Sequence, residues 1–164
     1  MQTFMSVKLK LKEGQHINLI ITHLKAKKRC ANVRTDQVNK LLYFMSSHKT
    51  MSTKEPIFLI GDFNAESGEN CINILEHDGW KNVYDWQKTK YPRQSATITL
   101  WDKKHNNLET LELDYIFYNS QQCSNILPVS LLVKPSLSTL LPNQDYPSDH
   151  IFLQCKFFIK SSRQ

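Results

Sequence analysis

Short apolar runs that end abruptly in polar residues most constrain what this chain can fold into. Residues 57–60 (IFLI) stop at Gly61, which is typical of a buried central strand that ends in a loop. Residues 17–22 form a similar run, and residues 4–11 alternate apolar and polar side chains before a turn at Gly14. The first two strands of the chain are therefore predicted to form a hairpin.

Helical periodicity is predicted in two places. Residues 33–47 place Val33, Val38, Leu41, Leu42 and Met45 on one side of a helix, which we expect to pack on a sheet. Residues 70–77 are predicted to form a second, shorter helix. Further strands are predicted at residues 96–101, 111–118, 128–133 and 151–159. The pattern favours an α/β layer fold in which strands outnumber helices.

Composition limits the class of protein. A chain of 164 residues with 40% hydrophobic and 22% charged residues is predicted to form one globular domain, over residues 1–160, with a frayed tail at 161–164. Four cysteines without a C-x-x-C pair favour reduced thiols over a zinc site. No apolar stretch approaches the roughly 18 residues of a membrane span. The net charge of +6 suits an anionic partner.

Three polar clusters lie where predicted strands meet loops, the position at which α/β sheets place their sites. The clusters are His23 with Lys25 and Lys27, Asp62 with Asn64, and Asp149 with His150. Hydrolysis of a phosphoester requires oxygen ligands for a metal, a group that orients or deprotonates water, and donors for the phosphoryl oxygens. The three clusters contain all these residue types.

Each cluster also has a simpler interpretation. Gly61-Asp62 is a common turn sequence, a single histidine is more often structural, and residues 25–29 on their own predict a solvated basic loop. Asp149 after Ser148 is equally compatible with a turn. The functional hypothesis therefore depends on all three clusters occurring together at matching strand ends.

Asp114 lies inside the apolar run of residues 111–118, where burial without a partner would be costly. We expect Asp114 to hold the tautomer and orientation of His150, so that the second ring nitrogen faces a phosphate. The alternative is that Asp114 faces solvent.

Four short motifs carry a resemblance to a known superfamily. They are Thr22-His23-Leu24, Gly61-Asp62-Phe63-Asn64, Leu113-Asp114-Tyr115 and Ser148-Asp149-His150. In this order they resemble the endonuclease/exonuclease/phosphatase superfamily, and the longer strings THLKAK, GDFNAE, LDYIFY and YPSDH are similar to its nocturnin-like, deadenylase-related branch. The resemblance covers nearly the whole chain.

The resemblance implies a fold and a cofactor. The superfamily domain is a four-layer αββα sandwich, and this chain is expected to supply its C-terminal half, with a mixed, mostly antiparallel sheet. The main magnesium ligand, a glutamate, is expected in the N-terminal half, which the chain lacks. The inner face of the sheet is then expected to need a covering partner.

The resemblance also implies residue roles. His23 and His150 would stabilise the transferring phosphoryl group, and Asp62 would orient or deprotonate water with Asn64 beside it. Magnesium would be held at Asp149 and Asp62, while Asp114 supports His150. Substrate phosphates would contact Lys25, Lys27 and Asn64. Lys27 stands where the family usually has an arginine, and a point charge cannot make the same bidentate contact.

Two substrates remain open for a hydrolase of this kind. They are the 3′ end of poly(A) RNA and the 2′-phosphate of a phosphorylated nicotinamide dinucleotide. A third hypothesis is a catalytically incomplete fragment, or a half-domain that binds nucleic acid or protein without catalysis. The expected location is cytoplasmic, or mitochondrial if a missing N-terminal segment carries a transit peptide.

Overall fold

The computed structural model describes residues 4–47, 55–85, 98–102, 107–119, 126–131, 141–144 and 147–159. These residues form nine strands and two α-helices, which confirms that strands predominate. In chain order the elements are β1 (Met5–Lys10), β2 (His16–His23), α1 (Ala31–Ser47), β3 (Ile57–Asp62), α2 (Asn70–His77), β4 (Trp80–Asn82), β5 (Ile98–Asp102), β6 (Asn107–Leu111), β7 (Asp114–Asn119), β8 (Ile126–Leu131) and β9 (Cys155–Ile159).

The main sheet has five strands in the order β1-β2-β3-β7-β4. β2 and β3 are parallel, and the other neighbouring pairs are antiparallel. The mixed, mostly antiparallel sheet of an α/β fold is therefore confirmed. β5 pairs with β6 and β8 with β9 as two further, two-stranded antiparallel sheets.

The two helices cover one face of this sheet. Inward side chains alternate along β2 as the period of a strand requires, and Ile20 is fully buried with Leu59 of β3 and Phe117 of β7. Val38 from α1 and Leu75 from α2 complete this core. Burying each such side chain contributes on the order of 2 kcal/mol, so the core holds the strands in a defined register.

The opposite face of the sheet is only partly covered. Phe58 of β3 is buried there, with its ring centroid 4.6 Å from that of Phe157 of β9. Ile17, Leu19 and Ile60 are partly buried around Phe58. Ile60 of this face is followed in β3 by Gly61 and Asp62, where the polar residues begin.

Several predicted elements differ from those observed. The strand predicted at 111–118 is interrupted at Glu112 and Leu113, because Leu113 accepts a hydrogen bond from the Phe63 amide at 2.8 Å. The strand predicted at 151–159 begins only at Cys155, since the Gln154 amide donates to the Tyr84 hydroxyl at 3.2 Å instead of joining a ladder. The predicted boundary at 161–164 lies outside the described residues.

The buried side of α1 also differs from the prediction. Val33 is 47% exposed, whereas Arg34 is 1% exposed and shares the buried side with Val38 and Leu41. The Arg34 side chain takes the inward position because it has hydrogen-bond acceptors there, on Glu69, Lys25 and Lys27.

No helix among the described residues is long and apolar enough to cross a membrane.

Candidate active site

A row of polar residues crosses three neighbouring strands at one end of the main sheet. His23 is the last residue of β2, Asp62 the last of β3 and Asp114 the first of β7. Asp62 is in register with both of the others. The parallel pairing of β2 with β3, and the antiparallel pairing of β3 with β7, bring these distant residues together.

Two histidine–carboxylate contacts flank the row. His150 Nδ1 lies 2.8 Å from Asp114 Oδ2, and His23 Nε2 lies 3.4 Å from Asp62 Oδ2. An ionised Asp114 only accepts hydrogen bonds, so Nδ1 of His150 carries the proton and Nε2 is left for another partner. The expected pairing of Asp114 with His150 is thus present. The side chain of His23 is 70% exposed, so its contact with Asp62 is the weaker constraint.

Asn64 holds Asp62 in place. Its backbone amide donates to Asp62 Oδ1 at 2.7 Å, and its side-chain amide donates to Asp62 Oδ2 at 3.0 Å and to the Leu24 carbonyl at 3.1 Å. Asn64 has φ +49°, a left-handed conformation that asparagine tolerates better than most residues. The same side chain therefore links the end of β3 to the loop after β2.

Gly61 is required by the approach of β2 to β3. Its φ is +142°, and a Cβ at this position would lie 1.9 Å from the Thr22 carbonyl oxygen. No other residue type fits without moving the backbone. The glycine therefore permits the alignment of Asp62 with its neighbours.

The surroundings of Asp62 and His150 raise the pKa values of both side chains. Burial raises the pKa of Asp62, the hydrogen bond from the Asn64 amide opposes this, and the Asp114 charge raises the pKa further. Burial lowers the pKa of His150, but the hydrogen bond and charge of Asp114 outweigh it, so the net shift is upward. The base candidate thus holds a proton more readily than a free aspartate, and the imidazolium of His150 is favoured.

A cavity of about 720 Å³ opens over these groups. Asp62, Asp114 and His150 line it, and each offers a ligand atom within 4.8 Å of the others. The remaining wall is largely apolar and includes Ile21, Ile60, Ile116, Ile151 and Leu153. The polar groups therefore lie together at one side of an otherwise hydrophobic cavity.

The other predicted site residues lie further from this group. Lys25 and Lys27 are exposed on the loop after β2, where Lys27 has φ +86°. Asp149 is exposed and is not part of the group of three ligand atoms, although its charge raises the pKa of His150. Its role as a metal ligand stays a prediction.

The sequence patterns did not predict Arg34 and Glu69 as part of the site region. Arg34 Nη2 lies 2.6 Å from Glu69 Oε2, and Nη1 donates to the carbonyls of Lys25 and Lys27 at 2.9 Å each. The spacing of residues in α1 did indicate that Arg34 is buried, because Arg34 precedes the buried Val38 by four residues, about one helical turn. An arginine at such a position indicates a buried, fully paired charge.

No protein-family model matches this chain. It is 29% identical over 147 residues to nocturnin of Mus musculus, across 88% of this chain and 34% of that protein. It is 29% identical over 130 residues to the CCR4-Not complex 3′-5′-exoribonuclease subunit Ccr4 of Coccidioides immitis, across 66% of this chain and 17% of that protein. The chain thus spans about a third of the length of the curated nocturnin that it matches.

The human nocturnin catalytic domain, solved with a bound sulfate anion, superposes on the chain with a TM-score of 0.72 at 28% identity. The match covers 97% of this chain and 53% of that domain. Fold and sequence therefore agree along nearly the whole chain. The comparisons therefore support an endonuclease/exonuclease/phosphatase-type, nocturnin-like fold over the part of the domain that the chain spans.

Proposed function

We propose that this chain forms part of a magnesium-dependent phosphoester hydrolase that acts on a nucleotide substrate. The observation that carries the proposal is the alignment of His23, Asp62 and Asp114 across three strands, with His150 hydrogen-bonded to Asp114. A base candidate and an oriented imidazole on one cavity wall are the groups that phosphoryl transfer to water uses.

Two carboxylates are candidates for a magnesium site. Magnesium prefers oxygen ligands; Asp62 lines the cavity, and Asp149 directly precedes His150, which lines the same cavity. We propose that Asp62 and Asp149 hold the ion, together with a glutamate outside this chain. A bound magnesium ion would polarise the phosphoryl oxygens and lower the pKa of the attacking water.

The residues of this chain have separable roles in the proposed reaction. Asp62 accepts a proton from water, and Asn64 orients the carboxylate through two hydrogen bonds. His150 donates from Nε2 to a phosphoryl oxygen while Asp114 holds Nδ1. His23 is placed to donate from the exposed side of the row, and the loop with Lys25 and Lys27 supplies positive charge for substrate phosphates.

Two substrates are candidates. The 2′-phosphate of a phosphorylated nicotinamide dinucleotide is a compact anion that we propose contacts the exposed Lys25 and Lys27, with a ring of the dinucleotide on the apolar wall of the cavity. The 3′ end of poly(A) RNA is the second candidate, and the exoribonuclease named among the relatives favours it.

The test is release of phosphate from the phosphorylated dinucleotide, and of nucleotide from oligo(A), by this chain with magnesium or with a chelator. We expect release from one substrate that the chelator abolishes and that Asp62→Asn lowers by about 100-fold or more. Asp36→Asn, which neutralises an exposed carboxylate on α1, should leave the rate unchanged. A folded chain that releases nothing from either substrate would show that its residues do not suffice for catalysis, which favours a catalytically incomplete fragment or a non-catalytic half-domain.

A further inference from the structure

Arg34 is a buried charge for which the proposed reaction has no direct use. Its side chain is 1% exposed and donates four hydrogen bonds. Two go to one carboxylate oxygen of Glu69, just before α2, at 2.6 and 3.3 Å. The other two go to the carbonyls of Lys25 and Lys27 at 2.9 Å.

Stability alone is a poor reason for this arrangement. Burial removes the Arg34 charge from water, whereas Glu69 stays 28% exposed, and well-packed hydrophobic residues of similar volume are often as stable as a buried charged pair or more so. The neighbouring positions on the inner side of α1 are indeed Val38 and Leu41. A planar guanidinium differs from them in that it can bind several acceptors in fixed directions at once.

Those directions hold the loop that carries the exposed lysines. The Lys25 amide donates to Gln37 Oε1 at 3.0 Å, so a second residue of α1 binds the same loop. Asn64 donates to the Leu24 carbonyl and to Asp62, so it connects the start of the loop to the row of polar residues at the end of the sheet. Lys27 has φ +86°, an unfavourable conformation for a residue with a Cβ, and the hydrogen bond to its carbonyl helps hold it there.

We infer that Arg34 is a positioning residue, which through the carbonyls of Lys25 and Lys27 presents two ammonium groups to a substrate phosphate. Both lysine side chains are exposed, and no ion pair occupies either of them among the described residues. The inference rests on the proposed function, because it assumes an anionic substrate. It assigns α1, through Arg34 and Gln37, a part in substrate affinity.

The test uses Arg34→Lys, which keeps the charge opposite Glu69 but cannot bind two carbonyls and the carboxylate together. Affinity for the phosphorylated dinucleotide is measured in wild type, Arg34→Lys, Lys25→Ala/Lys27→Ala and the triple variant. We expect Arg34→Lys to weaken binding about fivefold, roughly the loss of one exposed lysine–phosphate contact. The triple variant should bind like Lys25→Ala/Lys27→Ala. Unchanged binding by Arg34→Lys, or an equal loss in both backgrounds, would overturn the inference.

Limited digestion with trypsin separates this inference from the proposed function. The segment between β2 and α1 contains four tryptic sites, Lys25 and Lys27 in the loop and Lys28 and Arg29 in the short 3-10 helix that follows it. If Arg34 holds the loop, Arg34→Lys is cut there faster than wild type at equal resistance to urea, while Lys40→Ala, an exposed change on the same helix, is cut at the wild-type rate. If Lys25→Ala/Lys27→Ala binds the dinucleotide like wild type, the lysines do not contact substrate and the proposed function fails in that respect. Faster loop cleavage would then still support the loop-holding role, and unchanged cleavage would reject it.

Discussion

At the residue scale, the 2.8 Å hydrogen bond between Asp114 and His150 decides which ring nitrogen is available in the cavity. The carboxylate accepts the Nδ1 proton, and its charge favours the imidazolium. The same carboxylate raises the pKa of Asp62, so one residue influences the pKa values of both Asp62 and His150. Substitution of Asp114 therefore has effects that can be separated by titration.

Asp114→Asn is expected to lower the pKa of His150, because the hydrogen bond and the charge that raise it are lost. The measurement is an NMR titration of the His150 ring proton in the metal-free chain. Asp149→Asn is the matched control, since Asp149 acts only through its charge, and it should lower the pKa less. Equal pKa values in Asp114→Asn and wild type would contradict the assignment.

The same shift predicts how stability depends on pH. The pKa of His150 is raised above the value of about 6.5 expected in the unfolded chain. Its contribution is therefore fully present below about pH 6.5 and is lost as pH rises through the folded-state pKa. Urea unfolding should show a larger deficit for Asp114→Asn at pH 6 than at pH 9, and a constant deficit would contradict this origin.

Gly61→Ala is expected to destabilise the chain by more than about 2 kcal/mol, because its Cβ would meet the Thr22 carbonyl oxygen at 1.9 Å. Gly68→Ala is the control: its φ is +95°, but no atom lies within 4 Å of the added Cβ. It should cost about 1 kcal/mol, the strain of the conformation alone. Urea unfolding of both variants checks the difference, and equal costs would show that strain, not the close approach, governs Gly61.

At the element scale, β3 and β7 are held together by an aromatic cluster directly behind the polar row. Phe63, Tyr115 and Phe117 have ring centroids 5.2 to 5.4 Å apart, with Tyr115 and Phe117 stacked and Phe63 edge-on to both. The Tyr115 hydroxyl is within hydrogen-bond distance of the Ala65 and Glu112 carbonyls, at 2.9 and 3.1 Å. The positions of Asp62 and Asp114 depend on this packing.

Phe117→Ala should lower the free energy of unfolding by about 3 to 5 kcal/mol, because the side chain is 0% exposed and the cavity cannot readily collapse between two rings. Tyr43→Ala, a change to a ring that is 75% exposed on α1, should alter it by less than about 0.5 kcal/mol. Urea unfolding measures both. A small effect of Phe117→Ala would show that the strands are held by other contacts.

At the scale of the whole molecule, the net charge of +6 favours binding of an anionic ligand. The positions of the lysines on the surface decide where that ligand binds. Lys25 and Lys27 follow the end of β2, whereas Lys10 pairs with His16 at the start of that strand. The two ends of β2 are roughly 20 Å apart at the rise of a strand. Removing the same number of lysines from each end of β2 therefore tests at which end an anionic ligand binds.

Lys25→Ala/Lys27→Ala should reduce the slope of log affinity for oligo(A) against log salt by about 1.4, since each phosphate contact on a single strand contributes about 0.7. Lys10→Ala/Lys12→Ala removes the same charge from the far end and should leave the slope nearly unchanged. Filter binding between low and moderate salt gives both slopes. Equal reductions by the two pairs would show that only net charge matters.

Many strands and helices of this molecule could be predicted from its sequence, because hydrophobic periodicity and turn residues can be recognised within a short stretch of chain. Residues 57–60 predicted a buried strand, and residues 70–77 predicted α2 with the observed bounds. The motif residues Asp62, Asp114 and His150 were predicted as one site from their residue types and a family resemblance. The three residues line one cavity, while their roles in a site stay predictions.

Only the tertiary structure decided which residues support the site. The sequence pattern placed Val33 on the buried side of α1, but Arg34 is buried instead, because Glu69 and two loop carbonyls surround it with acceptors. Such partners lie up to 35 residues away, so no local window reveals them. Local periodicity determined the strands and helices, and long-range pairing of β2, β3 and β7 determined where their polar ends meet.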